Sequence, residues 1–108
     1  MKHYMIQPDG AIVETEDVLE WARRLEKHHR DRKVAQTDSL RPPPGWQVST
    51  VFLGLEHGHD SEGKPLLWET MVFGGPLDEE CERYSSVEAA RVGHDAMVER
   101  CKVASNLN

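Results

Sequence analysis

The stretch that decides the fold runs from Val48 to Phe73 and contains two apolar segments, VSTVFLGL at 48–55 and LLWETMVF at 66–73. Both segments are short, rich in β-branched and aromatic residues, and bounded by Gly, Pro or acidic residues, which is typical of β-strands. Strands that follow each other in sequence usually lie side by side, so we expect an antiparallel pair. Because apolar residues fall on both faces of each segment, the pattern predicts central strands that are covered on both sides.

The sequence on the N-terminal side of this pair predicts a hairpin and a helix. The sequence Gln7-Pro8-Asp9-Gly10 strongly favours a β-turn, because proline fixes φ and glycine accepts a positive φ. A hairpin is therefore predicted over about 3–14. Apolar residues at helical spacing then predict a helix over about 16–29, with Thr15 as its cap and an apolar stripe that faces the core. The segment 34–40 is compatible with a short strand or with irregular structure.

The sequence on the C-terminal side predicts a brief edge strand over 81–84 and a second helix over 86–104. Ser85 and Glu88 have the spacing of a capping box at the start of that helix. Apolar residues at spacings of three and four then predict its buried face. The fold class is therefore α+β in a single domain, 1–108, with an antiparallel or mixed sheet of roughly 3–5 strands packed with two helices.

Composition excludes some classes of function. A net charge of -6 over 108 residues argues against general binding of DNA or RNA, which requires many cations. The apolar runs are too short to span a bilayer and the N-terminus lacks the apolar core of a signal peptide, so we expect a cytoplasmic protein with no membrane contact. Two cysteines are too few for a disulfide scaffold and are predicted to be free thiols. The common catalytic and phosphate-binding motifs are missing, so we expect no cofactor, and binding rather than catalysis.

Polar residues beside the apolar pair predict a ligand-binding recess. Glu69 lies within an apolar strand, where a carboxylate is costly unless it is paired, and His94 lies on the buried stripe of the second helix. We expect the two groups to share one recess. The predicted ligand-binding residues are Thr50, His57, Glu69, Thr70, Tyr84 and His94. Two plainer alternatives stay open, a structural salt bridge for Glu69 and a hydrogen-bonded core position for His94.

A metal site at the link between the two segments is a weaker alternative. His57 and His59 share a face if the strand extends that far, and Asp60 or Glu69 would be a further ligand. The spacing fits no standard zinc signature. We therefore predict no metal and interpret the histidines as residues of an exposed turn.

Charge is unevenly distributed along the chain. The segment 23–33 is mostly basic, and the segment 56–82 is mostly acidic. Such polarity is typical of a partner-binding surface, although ordinary solvated surfaces also carry charge. The predicted partner-binding residues are Glu56, Asp60, Glu62, Asp78, Glu79, Glu80, Arg24, Lys27 and Arg30.

Several segments together resemble a family of small proteins encoded by tailed bacteriophages and prophages. These segments are WQVSTVFLGLEH at 46–57, PLLWETMVF at 65–73, ERYS at 82–85, GH at 93–94 and MVER at 97–100, with EWA at 20–22 and VAQT at 34–37. The resemblance spans most of the chain. It implies a phage accessory protein in the host cytoplasm, because short phage genes serve takeover, packaging or evasion of host defence.

Three hypotheses for the function follow. The first is a binding protein that counters host defence, either by blocking a defence protein or by sequestering a nucleotide-like signal. The second is a small hydrolase that uses Glu69 and His94, with or without a metal at His57. The third is an oligomeric structural or assembly module, most simply a homodimer formed through the apolar sheet.

Overall fold

The computed structural model describes residues 1–27, 32–40 and 43–105, and these residues form six strands and two helices. In chain order the elements are β1 (His3–Ile6), β2 (Ile12–Thr15), α1 (Val18–Lys27), β3 (Lys33–Ser39), β4 (Trp46–Phe52), β5 (Trp68–Phe73), β6 (Cys81–Tyr84) and α2 (Val87–Ala104). Strands β1 and β2 form an antiparallel hairpin, and the other four form an antiparallel sheet in the order β3-β4-β5-β6. The predicted α+β fold is confirmed, with its strands divided between two sheets.

The predicted antiparallel pair is the centre of the larger sheet. Val48 lies opposite Val72, and Thr50 lies opposite Thr70. Along β4 every second residue, from Trp46 to Phe52, is buried, and the residues between them are only partly buried. Helix α2 packs against this sheet. The prediction of strands covered on both sides is wrong, because burial alternates with the two-residue period of a strand and leaves the other face partly exposed.

Helix α2 supplies the second half of the core, as its stripe predicts. Its buried residues are Ala90, His94, Met97, Val98 and Cys101. The cap is Ser86 rather than Ser85: the Ser86 side chain accepts a hydrogen bond from the backbone N–H of Ala89 at 3.1 Å. The Ser85 hydroxyl instead donates to a carboxylate oxygen of Asp60 at 2.6 Å. Both cysteines are free thiols, as predicted.

Helix α1 differs from the prediction that its apolar stripe faces the core. None of its residues is buried, and Val18 and Leu19 are 49% and 71% exposed. The helix packs beside strand β1 rather than against the larger sheet, so little apolar surface is available to cover it. Its cap is Asp17, which accepts from the backbone N–H of Glu20 at 3.0 Å, and not Thr15.

One carbonyl group attaches the hairpin and α1 to the larger sheet. The carbonyl oxygen of Gly54 accepts hydrogen bonds from the backbone N–H of Tyr4 at 2.8 Å and from the indole N–H of Trp21 at 3.0 Å. Gly54 has a φ of 75°, which glycine adopts without a steric penalty. The chain turns here, so β4 ends at Phe52 and not at Leu55 as the sequence predicts.

Neither helix in the described part of the chain is long and apolar enough to cross a membrane.

Helix α2 approaches strand β6 closely at Gly93. A Cβ atom added to Gly93 would lie 2.2 Å from the hydroxyl oxygen of Tyr84 and 2.3 Å from two of its ring carbons. Only glycine therefore fits between the helix axis and this ring. The glycine that weakens the helix in isolation is required for its packing.

We expect Gly93→Ala to destabilise the protein by about 1–3 kcal/mol, because overpacking outweighs the gain of about 1 kcal/mol in helix propensity. In a Tyr84→Ala background the same substitution should become neutral or stabilising, because the ring that it meets is gone. Urea unfolding of the two single variants and the double variant tests this coupling. An equal loss of stability in both backgrounds would contradict the packing argument.

Candidate functional site

Three of the predicted ligand-binding residues, Thr50, Thr70 and His94, meet in the interior, between α2 and the larger sheet. His94 is only 3% exposed, and its Nδ1 atom lies 2.8 Å from the hydroxyl oxygen of Thr50. That hydroxyl is 2.5 Å from the hydroxyl of Thr70, its partner on β5. The Nε2 atom of His94 lies 2.8 Å from the hydroxyl of Thr37 on β3. We call Thr37, Thr50, Thr70 and His94 the threonine–histidine network.

The network is satisfied by a neutral imidazole. A neutral ring has one donor nitrogen and one acceptor nitrogen, and each threonine hydroxyl both donates and accepts. Burial lowers the pKa of His94, and the nearby carboxylate of Asp95 opposes this effect only in part. The hydroxyl of Tyr84 is buried as well, and burial raises its pKa. This arrangement is a hydrogen-bonded core rather than an open ligand site.

Glu69 lies on the other face of the sheet from this network. Its carboxylate accepts a hydrogen bond from the Nε of Arg83 at 2.9 Å, and the two residues are cross-strand partners on β5 and β6. Neighbouring residues of a strand point to opposite faces, so Glu69 and Thr70 cannot share one recess. The prediction that Glu69 and His94 lie together is therefore wrong. The hydrolase hypothesis required both side chains in one recess, and this arrangement does not provide it.

His57 lies in the loop between β4 and β5, away from the network's hydrogen bonds. A side-chain oxygen of Glu56 lies 3.3 Å from the Nε2 of His59 in this loop. Asp60 accepts from Ser85 and from two backbone N–H groups, and these hydrogen bonds, led by the one from Ser85, lower its pKa. Within the described ranges, no three metal-binding side chains converge. Among the described residues, no hydrogen bond or ion pair joins His57 to the threonine–histidine network.

The predicted partner-binding residues do not share one kind of environment. Several acidic side chains have local roles: Asp60 and Asp78 accept backbone hydrogen bonds in turns, and Glu62 and Glu80 lie 3.7 Å from Lys64 and Arg100. The side chains of Glu56 and Glu79 complete this acidic set. On α1, Lys27 is exposed and Arg24 is half-buried. Arg30 lies outside the described residues.

An open cleft of about 450 Å³ lies between the hairpin, α1 and the end of β4. Ligand pockets usually fall in the range of about 300–1,000 Å³. We call it the hairpin cleft and define it by the lining residues Tyr4, Met5, Ile6, Gln7, Pro8, Gly10, Trp21, Arg24, Leu25, Arg32 and Phe52. The cleft combines three aromatic rings and an aliphatic wall with two guanidinium groups. Such a lining can bind a small molecule that has an apolar part and an anionic part.

The polar groups of the hairpin cleft are held in place by neighbouring atoms. The Nε of Arg32 donates to the carbonyl oxygen of Phe52 at 3.0 Å, which fixes the position of its guanidinium group. The Nε of Arg24 lies 3.5 Å from a carboxylate oxygen of Glu20. The indole of Trp21 is fixed by its bond to Gly54 and by an edge-on contact with the ring of His3, with 4.5 Å between ring centres. Such preorganised side chains lower the entropy cost of binding.

Sequence reasoning misses most of this cleft. It names Arg24 as a partner-binding residue, and it assigns Trp21 to the apolar stripe that faces the core. The contribution of Tyr4, Arg32 and Phe52 depends on how the hairpin docks on β4, and no local pattern reports that contact. Thr37 is also missed, although its position on a strand beside β4 becomes predictable once 33–39 is read as a strand.

The chain matches no protein-family model, no curated protein and no solved structure in comparisons with each.

We expect Thr50→Val to destabilise the protein by about 1–3 kcal/mol, although the shape of the side chain is nearly unchanged. The substitution leaves the Nδ1 of His94 and the hydroxyl of Thr70 buried without their shared partner. Urea unfolding measures the loss. Ser49→Ala is the matched control on the partly exposed face, where a change within about 0.5 kcal/mol is expected. Equal effects of the two substitutions would show that the network does not stabilise the fold.

Stability should also depend on pH through His94. Its pKa is lowered in the folded state, so the unfolded chain, with a value near 6.5, binds the proton more readily. The contribution of neutral His94 to the free energy of unfolding is fully present above the pKa of the unfolded chain. It is lost as the pH falls from that value through the pKa of the folded state. Urea unfolding at about pH 7.5 and about pH 5.5 should show a smaller loss for His94→Gln than for the wild-type chain. Identical pH dependence of the two proteins would exclude this role of the imidazole.

Proposed function

We propose that this protein acts by binding, and that the hairpin cleft holds a small anionic ligand with a flat aromatic part, such as a nucleotide. The observation that carries the proposal is the combination of aromatic rings with Arg24 and Arg32 around one cleft of about 450 Å³. Aromatic side chains stack on nucleobases with little dependence on base identity. Guanidinium groups bind phosphate through paired hydrogen bonds.

The charges around the cleft support an anionic ligand. The chain carries a net charge of -6, yet both charged residues that line the hairpin cleft are arginines. Among the residues that the structure describes, no carboxylate pairs with the guanidinium group of Arg32. Arg24 makes only a half-exposed pair with Glu20, and such a pair is worth about 0.3–0.5 kcal/mol. A phosphate group can therefore compete with Glu20 for this guanidinium.

Of the two modes of action that the sequence suggests, the cleft supports sequestration of a nucleotide-like signal. Blocking a defence protein through an acidic surface receives less support, because several of those acidic side chains are occupied by turns and local ion pairs. Action against host defence, in the host cytoplasm, remains a prediction from the resemblance to phage proteins. A homodimer formed through the sheet also remains a prediction.

Isothermal titration of the full chain with each of the four ribonucleoside 5′-monophosphates tests the proposal. We expect Arg24→Ala to weaken binding about tenfold or more, because a charge-assisted hydrogen bond contributes about 1.5–3 kcal/mol. Arg23→Ala is the matched control: it removes the same charge from the adjacent residue of α1, which does not line the cleft.

The fluorescence of Trp21 provides a second measurement. A base that stacks in the cleft should change the emission of the wild-type protein, and Trp21→Phe should abolish most of that change, since Trp21 is the tryptophan that lines the hairpin cleft. The proposal fails if none of the four nucleotides binds. It also fails if Arg23→Ala and Arg24→Ala weaken binding equally.

A further inference from the structure

We propose that the ligand is a dinucleotide, and that its second base and its phosphates occupy an adjoining cleft beside the start of α2. This inference rests on the function proposed for the hairpin cleft and specifies the class of ligand. The adjoining cleft, which we call the helix cleft, has a volume of about 510 Å³. Each cleft is large enough for one nucleotide unit, since ligand sites begin at about 300 Å³.

The two clefts share a wall. Ile6, Gly10 and Phe52 line both of them, with Ile6 and Gly10 in the hairpin and Phe52 at the end of β4. A ligand that reaches past these three residues contacts both clefts at once. Linking two units in one molecule makes the second contact intramolecular, so the affinity of the whole exceeds that of either part.

The helix cleft repeats the chemistry of the hairpin cleft. The ring of Trp68 lines it and packs against Phe52, with 5.4 Å between ring centres. Two cations, Lys33 and Arg91, also line it, together with one acidic residue, Glu88. Trp68 is only 6% exposed, so its ring forms part of an apolar floor, on which a base can rest while the cations receive its phosphate.

The cations of the helix cleft differ from those elsewhere on α2. Arg100 and Lys102 pair with Glu80 and Glu99 at 3.7 Å and 3.2 Å. In contrast, no carboxylate among the described residues pairs with Arg91 or Lys33, and the amine of Lys33 contacts the side-chain amide oxygen of Gln36. In a protein with a net negative charge, cations that line a cleft attract anions to it.

A dinucleotide fits these features better than a longer strand does. Two clefts accept two bases, and the surface beyond them belongs to a chain with net negative charge, which repels further phosphates. The ligand is therefore expected to be a short molecule and not a segment of nucleic acid.

Isothermal titration with three probes of one base tests the inference: a nucleoside 5′-monophosphate, the 5′-phosphorylated homodinucleotide and a homo-oligonucleotide of about eight residues. We expect the dinucleotide to bind about tenfold or more tightly than the monophosphate, and the longer strand to bind no more tightly than the dinucleotide. Arg91→Ala should reduce dinucleotide binding to the level of the monophosphate. Arg100→Ala, on the same helix and outside both clefts, is the control that should change neither.

The outcomes separate the two proposals. If the monophosphate binds in the hairpin cleft but the dinucleotide binds no more tightly, or Arg91→Ala has no effect, the helix cleft is not part of the site and only this inference is overturned. If the longer strand binds more tightly than the dinucleotide, the ligand is a nucleic-acid strand and this inference is again overturned. If none of the probes binds, both proposals are overturned.

Discussion

The fold depends on one buried row of hydrogen bonds that joins α2 to three strands of the larger sheet. The hydroxyls of Thr37, Thr50 and Thr70 come from β3, β4 and β5, and the imidazole of His94 comes from the helix. In a dry interior each of these groups is costly without its partners. A slip of one residue in a strand, or of one turn in the helix, would separate them, so the network selects a single register for all four elements.

The sequence predicts those parts of the fold that depend on the spacing of apolar residues within a single segment. The strands β4 and β5 follow from two short apolar segments, and the buried face of α2 follows from spacings of three and four residues. The contact between Thr50 and Thr70 is predictable as well, because it requires only that the two strands pair face to face. These features depend on local geometry and on one pairing between consecutive strands.

The unpredictable part depends on contacts between distant elements. The sequence predicts that Glu69 enters the recess of His94. Whether a residue occupies an odd or an even position along the strand decides which face of the sheet it lies on. Because this segment has hydrophobic residues at both kinds of position, it does not reveal which face the helix covers. The apolar stripe of α1 likewise predicts a buried helix, whereas Val18 and Leu19 are exposed because the helix packs beside the hairpin. The hairpin cleft arises from this same docking, so no single segment encodes it.

The shared acceptor at Gly54 has a consequence for the motions of the molecule. Because one oxygen accepts from both the hairpin, through Tyr4, and α1, through Trp21, the two elements are coupled at this point, and their opening also breaks the hydrogen bond from the backbone N–H of Glu56 to the carbonyl oxygen of Lys2. The N-terminal part should therefore behave as one cooperative unit that opens without unfolding the sheet, as partial openings in many native proteins do. A molecule bound between this unit and β4 would stabilise the closed arrangement. Ligand binding in the cleft and closure of the N-terminal unit are therefore thermodynamically coupled.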